Sequence, residues 1–357
     1  MVGIMELDRK KFISMVLALF LAGSSISLHT GCQKQRNQQK AASGTTDYET
    51  QNISIEQNKI NLDSTVMAVG DQKISFREVM FYVYYLQKQY EDGFGKDLWH
   101  YQMDEDKTVE DYVKEQIASE ITEIKIINAE AQKAGYTLSA EEGNEAKTNA
   151  ADFLKTVSEE EQEKYGFTQE MIENIYKEHT LAQKTYDIVC GQVNTSISDK
   201  EAKQVTVQVL TVLTQGEDRN GKIIDMDDTA KKTAKKRAKN FLKEGKKSNN
   251  FASYAESNSD LKQVEYTFGK DSIPEDFGET AFTLKTGQYS EIVEGSKGYY
   301  IIYCVNDFDK EKTTAKKEEM IEAEQVKLFQ DTYTKWSSDY GIVVSKTLMN
   351  EIQMGIH

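Results

Sequence analysis

Residues Phe277–Val305 read FGETAFTLKTGQYSEIVEGSKGYYIIYCV, and this stretch decides the fold. Its hydrophobic pattern predicts a short helix over Phe277–Leu284 and a turn at Lys285–Gly287. A strand to about Glu294, a second turn that ends at Gly298 and an apolar closing strand follow. The stretch therefore predicts one short helix and then two strands.

The residues before this stretch predict further strands and helices. Val205–Leu213 alternates between apolar and polar positions as a strand does, and Asp227–Lys247 has the periodicity of a helix. Phe251–Glu256 fits a second, short helix, and Val264–Phe268 fits another strand. Together with the closing stretch, these elements give the order β-α-α-β-α-β-β.

This order and the closing stretch resemble a parvulin-type peptidyl-prolyl isomerase domain. That family ends with a Phe-containing helix, a small turn before Gly, a Ser, a strand and then Gly-Tyr-His-Ile-Ile. Here Tyr300 stands where the family usually carries His. The resemblance covers about Lys203–Asp307 and implies an α+β fold with a small, mostly antiparallel sheet covered by helices. It also implies peptidyl-prolyl cis-trans isomerase activity.

The two ends of the chain predict helices that lie outside such a domain. Ser64–Ile74 reads as a pair of short strands, and Val109–Ala134 as a long amphipathic helix. A last helix carries an apolar stripe made of Val326, Phe329, Tyr333, Trp336 and Tyr340. Three pairs have the spacing of a capping box, namely Ser75 with Glu78, Ser139 with Glu142 and Ser198 with Glu201.

The strand-turn-helix order at the start resembles PrsA- and SurA-type chaperones. In those proteins, helices from both ends of the chain build one domain, and the parvulin domain is inserted between them. We therefore predict an N-terminal helical chaperone module over residues 64–200 and a parvulin-like domain over 201–308. The C-terminal helix, in residues 309–357, is expected to pack on the N-terminal module.

The N-terminus predicts export. A basic segment precedes the apolar run Phe12–Leu28, and small residues precede Cys32. This arrangement resembles a bacterial lipobox, except that His29 stands where Leu is usual. We expect residues 1–31 to be a signal peptide, Cys32 to be lipidated and residues 32–63 to be a flexible linker. A cleaved signal without lipid and an uncleaved anchor are the alternatives, and each places the remaining chain outside the cytoplasm.

The family pattern indicates an apolar pocket for proline and a set of polar residues at its base, which we call the floor. Ile273, Phe277 and Phe282 fall at positions that bind the proline or form the pocket's wall. The two family histidines are replaced by Thr211 and Tyr300, and Asp260 is the candidate for the family's Cys or Asp. A Thr and a Tyr can hydrogen-bond each other and Asp260. The resemblance therefore implies Thr211, Asp260 and Tyr300 as the catalytic residues.

Composition excludes several other functions. The formal net charge of -15 argues against nucleic acid as the main partner, because phosphate binding needs clustered cations. One face of Asp227–Lys247 is nevertheless basic, which fits either a solvated surface or contact with anionic lipid or cell-wall polymer. No spacing of His and Cys indicates a metal site, and no cofactor is expected. Cys190 and Cys304 fit either a disulfide or two separate buried thiols.

Three functions remain open. The first is an isomerase and chaperone that is tethered by lipid to the bacterial cell membrane, outside the cytoplasm. Its partners would be unfolded or partly folded exported proteins. The second is a chaperone whose degenerate parvulin domain only binds client chains. The third is a structural or adhesion lipoprotein that reuses the fold. The sequence is compatible with both a monomer and a homodimer.

Overall fold

A computed structural model of the protein describes residues 61–217, 219 and 221–355. These residues form two compact units. The terminal unit comprises the described residues of 1–192 together with 326–355, and the central unit comprises those of 193–325. The predicted signal peptide, Cys32 and most of the predicted linker lie outside the described residues.

The elements alternate between helix-rich and strand-rich segments along the chain. The strands are β1 Thr65–Val69, β2 Gln72–Ser75, β3 Val205–Leu213, β4 Gln215–Glu217, β5 Ile223–Asp225, β6 Glu265–Phe268, β7 Val293–Glu294, β8 Gly298–Asn306 and β9 Ile342–Val344. The helices are α1 Phe76–Phe94, α2 Val109–Lys133, α3 Ala140–Thr156, α4 Glu159–Tyr165, α5 Gln169–Cys190, α6 Asp199–Ala202, α7 Asp228–Gly245, α8 Phe251–Asn258, α9 Gly278–Thr283, α10 Lys310–Ser337 and α11 Lys346–Asn350. A 3-10 helix covers Lys96–His100.

The terminal unit packs helices around an aromatic core and a small antiparallel sheet. The sheet has the order β2-β1-β9, so a strand from the C-terminal end pairs with the first strand. Phe81 of α1 is fully buried at the centre of the core, 5.1 Å from the ring of Phe153. None of the described helices is long and apolar enough to cross a membrane.

The end of α10 belongs to the same unit. Phe329 is 3% exposed, and its ring lies 4.7 Å from that of Tyr186 on α5. Farther along, the hydroxyl of Tyr340 donates to Glu130 over 2.7 Å. Helices from both ends of the chain therefore build one unit, as the fold-class prediction required. Residues 309–319 read DKEKTTAKKEE, and this charged run is helical from Lys310 onward.

Two of the three predicted capping boxes form at the helix starts, and the third does not. The capping boxes of Ser139 and of Ser198 are both complete. At α1, Ser75 accepts from the amide of Glu78, but the capping box is incomplete. Glu78 instead forms an ion pair with Lys125, at 2.8 Å. A tertiary ion pair therefore overrides the local motif at this helix.

The central unit confirms the predicted small antiparallel sheet covered by helices. The strand order is β6-β3-β8-β7, and every pair is antiparallel. On one face, α7 and α8 cover Leu210 and Val212. The other face carries Val205, Val207 and Val209, which cluster with residues of α9 and β8. The β4–β5 hairpin was not predicted.

Candidate functional site

The site is built on the two long central strands. Thr211 of β3 and Tyr300 of β8 are direct cross-strand partners. Residues paired in this way project from the same face of a sheet. Both are buried, with 0% of Thr211 and 3% of Tyr300 exposed. The structure therefore brings together the two residues that replace the family's histidines.

The Tyr300 hydroxyl has a carboxylate partner that the sequence did not reveal. It donates to Oδ2 of Asp276 over 2.6 Å, and the amide of Ser296 donates to Oδ1 over 2.7 Å. Burial raises the pKa of Asp276, but the hydrogen bonds from Tyr300 and Ser296 outweigh it, so that the pKa lies below its usual value. Burial and the hydrogen bond to Asp276 both raise the pKa of Tyr300. The pair is thus a neutral phenol that donates to a carboxylate.

A glycine makes room for this carboxylate. A side chain at Gly295 would place its Cβ 2.6 Å from the Cβ of Asp276, which is closer than real contacts allow. The turn between β7 and β8 can therefore close over Asp276 only with glycine at this position. Asp276 directly precedes Phe277 in the chain. That adjacency to a predicted pocket residue was the only sequence signal for its role.

Aromatic rings form a wall next to this pair. The ring of Phe277 lies 5.2 Å from that of Tyr300 and 5.2 Å from that of Tyr266. The Tyr266 hydroxyl donates to the carbonyl of Gln263 over 3.2 Å. Phe277 is 7% exposed, so its ring is largely covered by these neighbours. Phe277 therefore lies in a packed aromatic cluster with Tyr300 and Tyr266, and its role as the wall of a substrate pocket stays a prediction.

The other two predicted wall residues lie at the margin of the same cluster. Ile273 and Phe282 are both partly buried against it. The Phe282 ring lies 6.4 Å from that of Phe268, and the Lys203 ammonium sits 4.8 Å from its centroid. Phe282 thus has a structural partner on each side, whereas Ile273 borders Gly278 at the start of α9.

Asp260 does not take part in the hydrogen bonds around Tyr300. Its carboxylate forms an ion pair with Arg237 of α7 at 2.8 Å and accepts from the amide of Leu213 over 2.9 Å. Its backbone amide donates to the carbonyl of Thr211 over 2.9 Å. The expected hydrogen bonding of Asp260 with Thr211 and Tyr300 side chains is therefore wrong, because the Asp260 carboxylate instead accepts from Leu213, in the part of β3 beyond its pairing with β6. The carboxylate that bonds Tyr300 is that of Asp276.

The Thr211 hydroxyl is left without a partner. The Tyr300 hydroxyl goes to Asp276, and among the described residues no other group bonds Oγ1 of Thr211. A buried hydroxyl with no partner costs about 1–3 kcal/mol, so such groups usually have a functional or solvent partner. Thr211 is therefore the one polar group of the floor whose hydroxyl is fully buried and unpaired among the described residues.

The arrangement suits binding and polarisation rather than covalent chemistry. The described residues contain no group of three metal-ligating side chains. The Tyr300 hydroxyl donates to the Asp276 carboxylate, but burial and this hydrogen bond raise the pKa of Tyr300, which disfavours the phenolate that nucleophilic chemistry would need. What the geometry offers is an aromatic wall beside a fixed set of hydrogen-bonding groups.

Comparison with known families identifies the central sheet. Residues 220–306 match the family model of the PPIC-type PPIase domain, a rotamase. The chain contains a PPIC-type PPIase domain. The match includes Asp276, Phe277 and Tyr300, whereas Thr211 lies before its first residue. No curated protein matches the sequence.

Solved structures of PPIases and chaperones are also similar to the chain. Peptidylprolyl isomerase PrsA from Bacillus cereus is 17% identical with a TM-score of 0.31, covering 78% of this chain and 91% of that one. Foldase protein PrsA from Streptococcus pneumoniae is 17% identical with a TM-score of 0.29, covering 80% and 97%. The SurA-like chaperones PEB4 and Cj1289 of Campylobacter jejuni give 10% identity and a TM-score of 0.30, covering 79% and 99%.

Proposed function

We propose that the protein is an extracytoplasmic foldase that isomerises prolyl peptide bonds and chaperones exported proteins. The observation that carries the proposal is the Phe277 wall beside the Tyr300–Asp276 pair, within a PPIC-type PPIase domain. Its substrates would be unfolded or partly folded polypeptides that contain proline.

Prolyl isomerisation needs only such a site. The barrier of about 18–20 kcal/mol comes from amide resonance, and no covalent bond is made or broken. A pocket lowers this barrier by holding the twisted amide away from water and by placing polar groups near its carbonyl oxygen and nitrogen. In this domain, Phe277 and Tyr266 would hold the proline ring, and the Thr211 hydroxyl is the free group of the floor.

A second function is favoured by the same floor. Both family histidines are absent, and the Tyr300 proton is already donated to Asp276. A domain with this floor could bind proline-containing segments without accelerating their isomerisation. The protein would then be a chaperone with a degenerate PPIase domain, which is the alternative that the first experiment must test.

That experiment measures isomerase activity of residues 33–357 on a proline tetrapeptide. Phe277→Ala is expected to lower kcat/KM at least tenfold, because it removes the wall of the pocket. Phe251→Ala is the matched control, since Phe251 is 4% exposed but packs on the opposite face of the same sheet. If the folded wild type shows no activity above the uncatalysed rate, the isomerase hypothesis is wrong and the client-binding chaperone is the remaining hypothesis.

Exposed apolar side chains in the terminal unit support the chaperone part of the proposal. Phe94, Tyr101, Met103 and Tyr112 are between 41% and 76% exposed, and they lie around the segment that joins α1 to α2. Exposed apolar patches commonly mark binding of other polypeptides, and we propose that these four side chains contribute to one. Replacing Phe94, Tyr101 and Met103 by Ser should weaken suppression of client aggregation and leave tetrapeptide isomerisation unchanged. Equal suppression by this variant would remove the surface from the proposal.

Membrane attachment through Cys32 completes the proposal. Its support is the basic and apolar N-terminal sequence, which ends in small residues before Cys32. Metabolic labelling with a radioactive fatty acid should mark the wild type and not Cys32→Ser. Labelling of both proteins, or of neither, would contradict a lipid anchor at this residue.

A further inference from the structure

Helix α7 carries a straight row of lysines. The row consists of Lys232, Lys236, Lys239 and Lys243, which we call the lysine row. Their spacings of four, three and four residues place all four within about 60° of the helix circumference, over a length of about 16 Å. All four side chains are exposed. The row is therefore a linear cationic surface on a protein whose formal net charge is -15.

The other basic residues near this helix are neutralised by acidic partners. The pairs are Lys231 with Asp225 at 3.1 Å, Lys235 with Glu294 at 3.0 Å, Arg237 with Asp260 at 2.8 Å, Lys246 with Glu291 at 3.6 Å and Lys247 with Glu244 at 2.9 Å. Within the described residues, the lysine row takes part in no ion pair. Its four charges are thus available to a partner, while those beside it are used within the domain.

The packing of α7 fixes the direction of the row. Ala234 and Ala238 are buried against the sheet, and Leu242 continues the same apolar face. The lysine row is centred about 130° around the helix from this apolar face, and all four lysines are exposed on a rigid support. Because the helix backbone is already rigid, these four positions lose little backbone conformational entropy when they bind a flat, negatively charged surface.

We propose that the lysine row docks the PPIase domain onto the surface of an anionic lipid bilayer. A bilayer surface presents phosphates in a plane, which a straight and rigid row of charges contacts along its whole length. Binding of single-stranded nucleic acid uses aromatic side chains that stack on the bases. No exposed aromatic side chain lies within the lysine row, which argues against nucleic acid as its partner. The proposed lipid anchor would keep the domain near such a surface. The inference goes beyond isomerase and chaperone activity and does not depend on either.

The effect of four lysines can be estimated. Each contributes about fivefold at an anionic surface, so that the four together raise the partition coefficient by roughly a hundred- to a thousand-fold at low salt. Screening shortens the range of these interactions to about 3 Å at 1 M salt, which should abolish the preference for anionic lipid. Binding through an apolar anchor does not have this dependence.

The test uses the full chain and vesicles of two compositions. One contains only phosphatidylcholine, and the other includes about a third of phosphatidylglycerol. The row variant changes all four row lysines to Gln, and the matched control changes Lys231, Lys235, Lys246 and Lys247 to Gln. Both variants lose four positive charges from the same region, and both retain the same N-terminal segment. Circular dichroism verifies that each is folded.

The proposal predicts that the wild type and the control prefer anionic vesicles by a similar factor. The row variant should lose at least a hundred-fold of that preference, while all three bind phosphatidylcholine equally. An equal loss in both variants would show that only net charge matters and would overturn the proposal. It is also overturned if the row variant binds anionic vesicles normally but loses binding to soluble poly(glycerol phosphate), because the partner would then be a polymer.

Discussion

The hydrogen bond between Tyr300 and Asp276 allows a quantitative test of the site. Tyr300→Phe removes the hydroxyl and keeps the ring, so the contact with Phe277 remains. A hydrogen bond to a charged group contributes about 1.5–3 kcal/mol to stability. The bond is 2.6 Å long and Tyr300 is only 3% exposed, while Asp276 keeps the amide of Ser296. We therefore expect a loss of about 2 kcal/mol from the central unit.

The measurement must report on the central unit alone. Both tryptophans, Trp99 and Trp336, belong to the terminal unit, so their fluorescence serves as the internal control. Hydrogen exchange of the amides in Gly298–Asn306 reports directly on β8. A loss of about 2 kcal/mol corresponds to exchange that is about thirty-fold faster for amides that open by unfolding. The tryptophan transition should not move.

A double-mutant cycle with Asp276→Asn separates the pair from its surroundings. If the two side chains act on each other, the double variant is less destabilised than the sum of the single variants by about 1 kcal/mol or more. Additive effects within about 0.3 kcal/mol would refute the reasoning, because the two residues would then contribute independently. A Tyr300→Phe protein whose β8 exchanges at the wild-type rate would refute it as well.

Three further outcomes follow from burial and charge. Burial, assisted by Glu123, raises the pKa of Glu120 to about 7. Its ionisation therefore destabilises the fold as pH rises from about 4.5 through 7. We expect Glu120→Gln to stabilise the terminal unit by about 3 kcal/mol at about pH 8 and not at pH 4. Urea unfolding followed by tryptophan fluorescence measures this difference. By the same method, Phe329→Ala should cost about 3–5 kcal/mol, whereas exposed Phe94→Ala should cost less than about 0.5. Isomerase activity should stay constant between about pH 5 and 9.

Two observations would contradict these expectations. One is a stability difference between wild type and Glu120→Gln that does not change with pH. The other is an equal cost of the two Phe→Ala changes, since Phe329 is 3% exposed and Phe94 is 76% exposed.

Elements with local signals were predictable from the sequence. The strand over Val205–Leu213 has the predicted bounds, because its alternation and its apolar side chains are both local properties. The capping boxes of Ser139 and Ser198 involve a residue only three positions away. Ile273, Phe277 and Phe282 belong to one apolar cluster because they are close in sequence, and their role in binding substrate stays a prediction.

Features that depend on distant residues were not predictable in the same way. Asp276 reaches Tyr300 only because β8 returns beside the start of α9, and a carboxylate before a helix usually indicates nothing more than a cap. The family pattern predicts Asp260, but Arg237 on α7 holds its carboxylate in an ion pair away from Tyr300. Strand β9 has only three residues and forms because β1 offers a free edge. In each case a tertiary partner decides the outcome.

The expected pH profile follows from the chemistry of the floor. A histidine titrates near pH 6.5, so a floor built on histidines changes its charge and its donors within the physiological range. Thr211 does not titrate, and hydrogen bonding together with burial moves the pKa of Asp276 downward and that of Tyr300 upward. The donor and acceptor pattern is therefore the same from about pH 5 to 9. A step in kcat/KM near pH 6–7 would mean that a group outside this floor takes part, and the central unit contains no histidine that could supply it. A constant rate would instead indicate that an aromatic wall and fixed dipoles are sufficient for isomerisation.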